Sequence, residues 1–163
     1  MRTALLCLML LSCACCLAQS RMEKLTPAKN NSVGWEIGIT PGIFLNGYLS
    51  STLVVGADVR VQKKFSDKFS GLLSVGITRF DDSPDDSYVA TIKAGAKYYA
   101  APKFYLSGDI GFGEYLDGGE LLLYAPSIGT QLGQKWDLAL RLDTYSNLRF
   151  PYSAIGVRVG LKL

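Results

Sequence analysis

The stretch "GQKWDLALRLDTY" spans residues 133–145. It alternates without a break. Trp136, Leu138, Leu140 and Leu142 fall on one side of an extended chain, and Asp137, Ala139, Arg141 and Asp143 on the other. A period of two marks a strand. The open question is which side faces inward. In a barrel dissolved in water the leucines are the core. In a barrel immersed in lipid they face outward and the charges are enclosed.

The same period recurs along the chain and predicts eight strands, at about 33–42, 50–64, 69–80, 87–100, 104–115, 121–133, 136–146 and 152–163. Sorted by parity, one face collects about thirty large apolar side chains, Leu53, Val75, Ile92, Ile110, Leu140 and Val157 among them, with nearly no charge. The other face carries Glu36, Asp58, Arg60, Lys93, Lys97, Asp109, Asp137, Arg141, Asp143, Arg158 and Lys162. Between these charges lie glycines 34, 38, 56, 76, 95, 111, 113, 129, 133, 156 and 160.

Volume decides between the faces. The lumen of an eight-stranded barrel is only just wide enough for side chains to fill it. Thirty large apolar groups would overpack it, at a cost in stability. Long charged side chains interleaved with glycine fit, and glycine lets a small barrel curve tightly. Five acids and six bases on that face nearly neutralise one another, as enclosed ions require. The reading is therefore an all-β, eight-stranded antiparallel up-and-down transmembrane barrel with an ionic network inside. Its alternative is a soluble, secreted lipocalin-like barrel with leucines inward and an apolar ligand.

The connections fall into two groups. Tight turns at "FSDKF" (65–69), "AAPKF" (100–104) and "GQKW" (133–136) alternate with the more variable segments 43–50, 81–86, 117–120 and 147–151. Each tight turn ends in lysine followed by an aromatic: Lys68-Phe69, Lys103-Phe104 and Lys135-Trp136. That spacing is the length of a hairpin unit, so the chain reads as a meander of hairpins. Aromatics gather at strand ends. Trp35, Phe65, Phe69, Tyr98, Tyr99, Phe104, Tyr105 and Trp136 mark one rim; Phe44, Tyr48, Phe80, Tyr88, Tyr115, Tyr145, Phe150 and Tyr152 mark the other. Two such girdles suit two membrane interfaces. Pro126 lacks a ladder donor, so a bulge or an early strand end is expected there.

Before the strands, Met1–Arg2 and the apolar run 3–18 read as a secretory signal cut before Gln19, with a lipoprotein signal at Cys13 as the lesser reading. Residues 19–32 read as a flexible periplasmic leader and 33–163 as the barrel domain. All four cysteines lie in the signal, which leaves the mature chain without thiols or disulfides. Net charge is +3 with no dense basic run, which excludes nucleic acid as a partner.

The signal, the leader, the alternating strands and the ending "IGVRVGLKL" (155–163) resemble the small OmpA/OmpX-type outer-membrane barrels over about residues 33–163. Such barrels often end in an aromatic; this chain ends in Leu163. The resemblance implies an integral protein of the bacterial outer membrane. It also implies periplasmic termini and tight turns, with loops 43–50, 81–86, 117–120 and 147–151 outside the cell.

Little chemistry is expected. Histidine is absent, which removes the commonest general base. Some barrels of this type are lipid-modifying enzymes that use a His with Ser or an acid, and no such set can be assembled here. "DDSPDD" (81–86) holds four carboxylates; a solvated loop tip explains them better than a divalent-cation site, since the spacing matches no EF-hand. An eight-stranded lumen is too narrow for an open pore. The expectation is a monomeric, non-enzymatic barrel without cofactor or metal, lodged in outer-membrane lipid. Its role is structural or adhesive, with a partner met through the loops.

Overall fold

The computed structural model describes residues 33–45, 53–81, 87–116, 118–146 and 151–163. The expected signal and leader, and most of the longer connections, lie outside the described residues. Eight strands follow in order: β1 (Val33–Phe44), β2 (Leu53–Lys64), β3 (Phe69–Phe80), β4 (Ser87–Tyr99), β5 (Phe104–Tyr115), β6 (Glu120–Leu132), β7 (Trp136–Ser146) and β8 (Pro151–Lys162). Each pairs antiparallel with the next, and β8 returns to β1 to close the barrel. The ladder is a spiral. From Trp35 it passes through Val61, Leu73, Ala94, Ile110, Tyr124, Thr144 and Ser153, whose carbonyl accepts from Leu45 N, ten positions beyond Trp35 on the same chain. That offset is the stagger a closed, tilted sheet requires.

The strand ends follow from local chemistry. At the first tight turn the N–H groups of Phe65 and Ser66 both donate to Phe69 O, and Ser66 Oγ accepts from Phe69 N at 3.1 Å. Gly133, expected on the charged face, instead turns the chain between β6 and β7 at φ +67°, where a residue without Cβ meets no clash. The lysine–aromatic repeat has a structural meaning. The carbonyls of Lys68, Lys103 and Lys135 accept from Tyr99 N, Gln131 N and Lys162 N at 2.8, 2.9 and 2.7 Å, extending each ladder by one rung. The aromatic that follows each lysine opens a strand and points outward.

Leu138, Leu140 and Val157 face out, as do Ile92 and Ile110, whereas Arg60 and Asp109 are buried. Ile110 is 60% exposed and Arg158 1%. The arrangement with leucines inward, which a lipocalin-like barrel needs, is not the one adopted.

Two sequence expectations are corrected. Pro126 causes neither a bulge nor an early end. Pairing with β5 runs through it to Gly108, and pairing with β7 lapses only between Tyr124 and Ser127, then resumes in the same register. The missing donor removes rungs on one side and shifts nothing. The second girdle is the other correction. Phe44, Phe80, Tyr115, Tyr145 and Tyr152 share the parity of the charges and point into the barrel, while Tyr88 alone of the described members faces out. Tyr48 and Phe150 lie outside the described residues. At the turn end Tyr99 and Tyr105 are likewise internal, and the outward ring there is Trp35, Phe65, Phe69, Tyr98, Phe104 and Trp136.

Candidate functional site

The interior is the candidate site, and it has three tiers. At the loop end lies an apolar cap. Val54, Phe80, Val89, Leu121, Leu123, Tyr145 and Ala154 form a buried cluster, with Phe44, Tyr115 and Tyr152 against it. Phe44 stacks on Phe80 (centroids 5.2 Å apart) and Tyr145 on Tyr152 (5.4 Å), and Phe80 meets Tyr145 edge-on at 5.3 Å. These are the offset and edge-to-face geometries aromatic rings prefer.

The ionic tier lies below. Arg158 is its centre: Nε and Nη2 donate to the two oxygens of Asp58 at 3.0 and 2.8 Å, and Nη1 donates to Glu36. A forked guanidinium on a carboxylate makes two parallel charge-assisted bonds, each roughly twice as strong as a neutral one. Nη1 also lies 3.9 Å from Asp137, which accepts from Lys97 at 3.0 Å and from the Tyr105 hydroxyl. Asp58 leads to Arg60 at 4.0 Å, Arg60 to Asp109 at 3.2 Å, Asp109 to Arg141 at 3.3 Å, and Arg141 to Asp143 at 2.8 Å. Nine of the eleven charges expected inside thus form one connected chain from Lys97 to Asp143. Lys93 and Lys162 do not join it. Lys93 is buried beside a cavity of about 20 Å³ that Arg141 also lines, room for one water. Lys162 lines the turn-end chamber.

Glycine makes the room. A Cβ on Gly38 would sit 2.6 Å from Arg158 Cζ, and one on Gly160 would strike Glu36 and lie 2.7 Å from Arg158 Nη1. A Cβ on Gly95 would meet the Asp109 carboxylate, and one on Gly129 the Tyr105 ring.

The third tier is a chamber of about 720 Å³ at the turn end. Glu36, Gln62, Tyr99, Gln131, Lys64, Lys68 and Lys162 are among the residues that line it. Gln62 Nε2 donates to Ser70 Oγ (3.0 Å) and Tyr99 OH (2.9 Å); Gln131 Nε2 donates to Tyr99 OH at 2.8 Å. Sequence reasoning missed this cluster and the Tyr105 contact to Asp137. Their parity matches that of the charges, and parity would have found them had ring position at a strand end not been weighed first. Among the described residues no group of three or more acid, Cys or His side chains is placed to hold a metal. Of the acidic stretch 81–86, only Asp81 is described.

A closed eight-stranded antiparallel barrel with an apolar exterior and a charged interior is now in view. The fold is that of the small transmembrane barrels. The outer-membrane enzyme PagL superposes with a TM-score of 0.65 at 10% identity, covering 78% of this chain and 99% of that one. Ail, the attachment invasion locus protein of Yersinia pestis, gives 0.60 at 14% identity, covering 80% and 97%; Ail has also been solved with the heparin analogue sucrose octasulfate. The N-terminal barrel domain of Pseudomonas aeruginosa OprF gives 0.57 at 12% identity, covering 80% and 97%. No family model and no curated protein matches the sequence. At these identities the likeness is one of fold.

Proposed function

We propose that this chain is a non-enzymatic, monomeric, integral barrel of the bacterial outer membrane, serving as a structural or surface-presenting element. One observation carries the reading: the outward face is a continuous apolar band, with Leu73, Val75, Ile92, Ile110, Phe112 and Leu140 exposed, while the charges are enclosed. In water such a band would bring association; in hydrocarbon it is the required surface. Closure satisfies the backbone without water, one of two ways a chain crosses lipid. The nine linked interior charges act as a plug, and the aromatic cap closes the loop end above them.

PagL keeps an enzymatic role in view for this fold. Against it, the chain has no histidine, and its interior carboxylates are taken up in ion pairs. With the tight turns periplasmic, the loops outside carry Asp81, Asp82, Asp85, Asp86, Asp117 and Glu120. A polyanion such as the heparin analogue held by Ail does not suit that charge. Any partner met through 43–50, 81–86, 117–120 and 147–151 is one that accepts an acidic surface.

Cell fractionation followed by gels of boiled and unboiled samples tests the proposal. A membrane barrel partitions with the outer membrane, needs detergent for release, and changes mobility on boiling. Recovery in the aqueous fraction without detergent would refute it.

A further inference from the structure

Among the described residues the exposed charges are divided by end. Lys63, Lys68, Lys103 and Lys135 stand at the turn end with one acid, Asp67; Asp81, Glu114 and Glu120 stand at the loop end with one base, Arg79. We propose that the basic turn end gathers anionic phospholipid, with the headgroup phosphates of the surrounding leaflet as its ligand. The inference rests on the chain being embedded in lipid, but not on which leaflet the turn end meets.

Three of these lysines adjoin rings that face outward. Lys63 Nζ lies 6.0 Å from the centroid of the exposed Phe65 ring, which puts that ammonium on the outer wall. Lys103 and Lys135 directly precede Phe104 and Trp136, both exposed. The three stand on β2 and just ahead of β5 and β7, so they are spread around the rim. None makes an ion pair among the described residues. Level and sign both fit a headgroup. Outward aromatic rings settle at the headgroup level of a membrane. A lysine one residue beyond such a ring lies about 3.3 Å further along the chain. Its stem can stay against apolar surface while the ammonium meets the phosphates. A zwitterionic lipid covers its phosphate with its own ammonium, whereas an anionic one leaves the charge unanswered, so unpaired lysines favour the anionic lipid. A soluble acidic partner is the rival. It would use the same ammonium groups, but it gives no reason for them to adjoin rings on the lipid face.

The chain's two tryptophans are reporters already in place. Trp136 follows Lys135, and Trp35 lies two residues from Val33, the register partner of Lys63. The refolded chain is placed in vesicles of phosphatidylcholine and phosphatidylglycerol, with one lipid or the other brominated at the same chain carbons. Tryptophan quenching then reads which lipid is enriched at the turn end. A preference for phosphatidylglycerol of about fivefold or more is expected at about 0.1 M salt. It should vanish at about 1 M, where the screening length falls from about 10 to about 3 Å. Joint substitution Lys63→Gln, Lys103→Gln and Lys135→Gln should abolish it, and arginine at the same three positions should keep it. The unboiled gel shift reports folding of each variant; should the glutamine variant fail to fold, the salt dependence of the parent decides. Near-equal quenching by the two lipids would overturn the proposal and leave the lipid-embedded barrel standing, and it is the result a soluble acidic partner predicts. A preference that survives high salt or the glutamine variant would also overturn it. Absence of quenching by either lipid would remove both the proposal and the membrane reading.

Discussion

Arg158 holds more of the interior together than any other side chain. It spans Asp58 and Glu36 and reaches toward Asp137, so its loss leaves Glu36 on β1 without an ion pair among the described residues and takes the forked partner from Asp58 on β2. Breaking an enclosed pair from one side costs about 3–5 kcal/mol, because the remaining charge is left unanswered. Arg158→Leu should therefore lower the urea midpoint of unfolding from lipid vesicles by an amount in that range. Lys93→Met should cost much less, since Lys93 is buried with no ion pair among the described residues. Equal losses for the two variants would mean that burial, not pairing, sets the interior energetics. Both residues were legible from parity as interior charges. Their difference was not, because pairing depends on side-chain reach across strands distant in sequence.

A strand's behaviour follows from its two faces. β7 presents Leu140 outward and Arg141 inward one residue later. Leu140→Arg should cost about 2–4 kcal/mol in bilayers if position 140 lies near the midplane; the check is the same vesicle unfolding, with an unchanged midpoint counting against a lipid-facing strand. The inner face of the loop end should respond as a core does. Phe80 packs against Phe44, Tyr145 and Tyr152, so Phe80→Ala should cost about 3–5 kcal/mol through the cavity it leaves. The contrast shows what could be read in advance. The period of two carried the eight-stranded barrel, because one face of each strand had to be apolar through most of its length, although Leu72, Leu121 and Leu123 lie on the inner side. It was overruled at Phe44, Phe80, Tyr105 and Tyr145, where rings near strand ends were given to the interface. Inside a barrel those same rings fill the space that arginines occupy at mid-height. Pro126 was misjudged for a different reason: a lost donor weakens a ladder locally, but neighbouring rungs on both sides keep the register.

The whole molecule is asymmetric from end to end. One end is sealed by packed rings and the other opens into a polar chamber; both tryptophans, Trp35 and Trp136, sit on the outside at the open end. Their indoles should therefore lie at a single membrane interface. Lipids brominated near the headgroup should quench the fluorescence more than lipids brominated at the chain terminus. Stronger quenching by the terminal label would place the girdle at the wrong depth. None of this polarity could be read from composition, since it arises from the order in which the spiral stacks inward residues.

Pro41 bears on how such a barrel reaches its final form. Its contact with β2 is continuous, but on the β8 side pairing lapses between Ile39 and Gly42. Until the last strand arrives, that side is a bare edge able to recruit a strand from any neighbouring chain. A proline there offers no hydrogen to an intruder, a common guard against edge-to-edge aggregation. The proper mate gets past the guard through a glycine contact: Gly42 lies against Gly156 so closely that a Cβ on Gly42 would sit 2.6 Å from Ile155 O. The seam thus discourages strangers and admits its own terminus, at the cost of being the barrel's most lightly stitched junction.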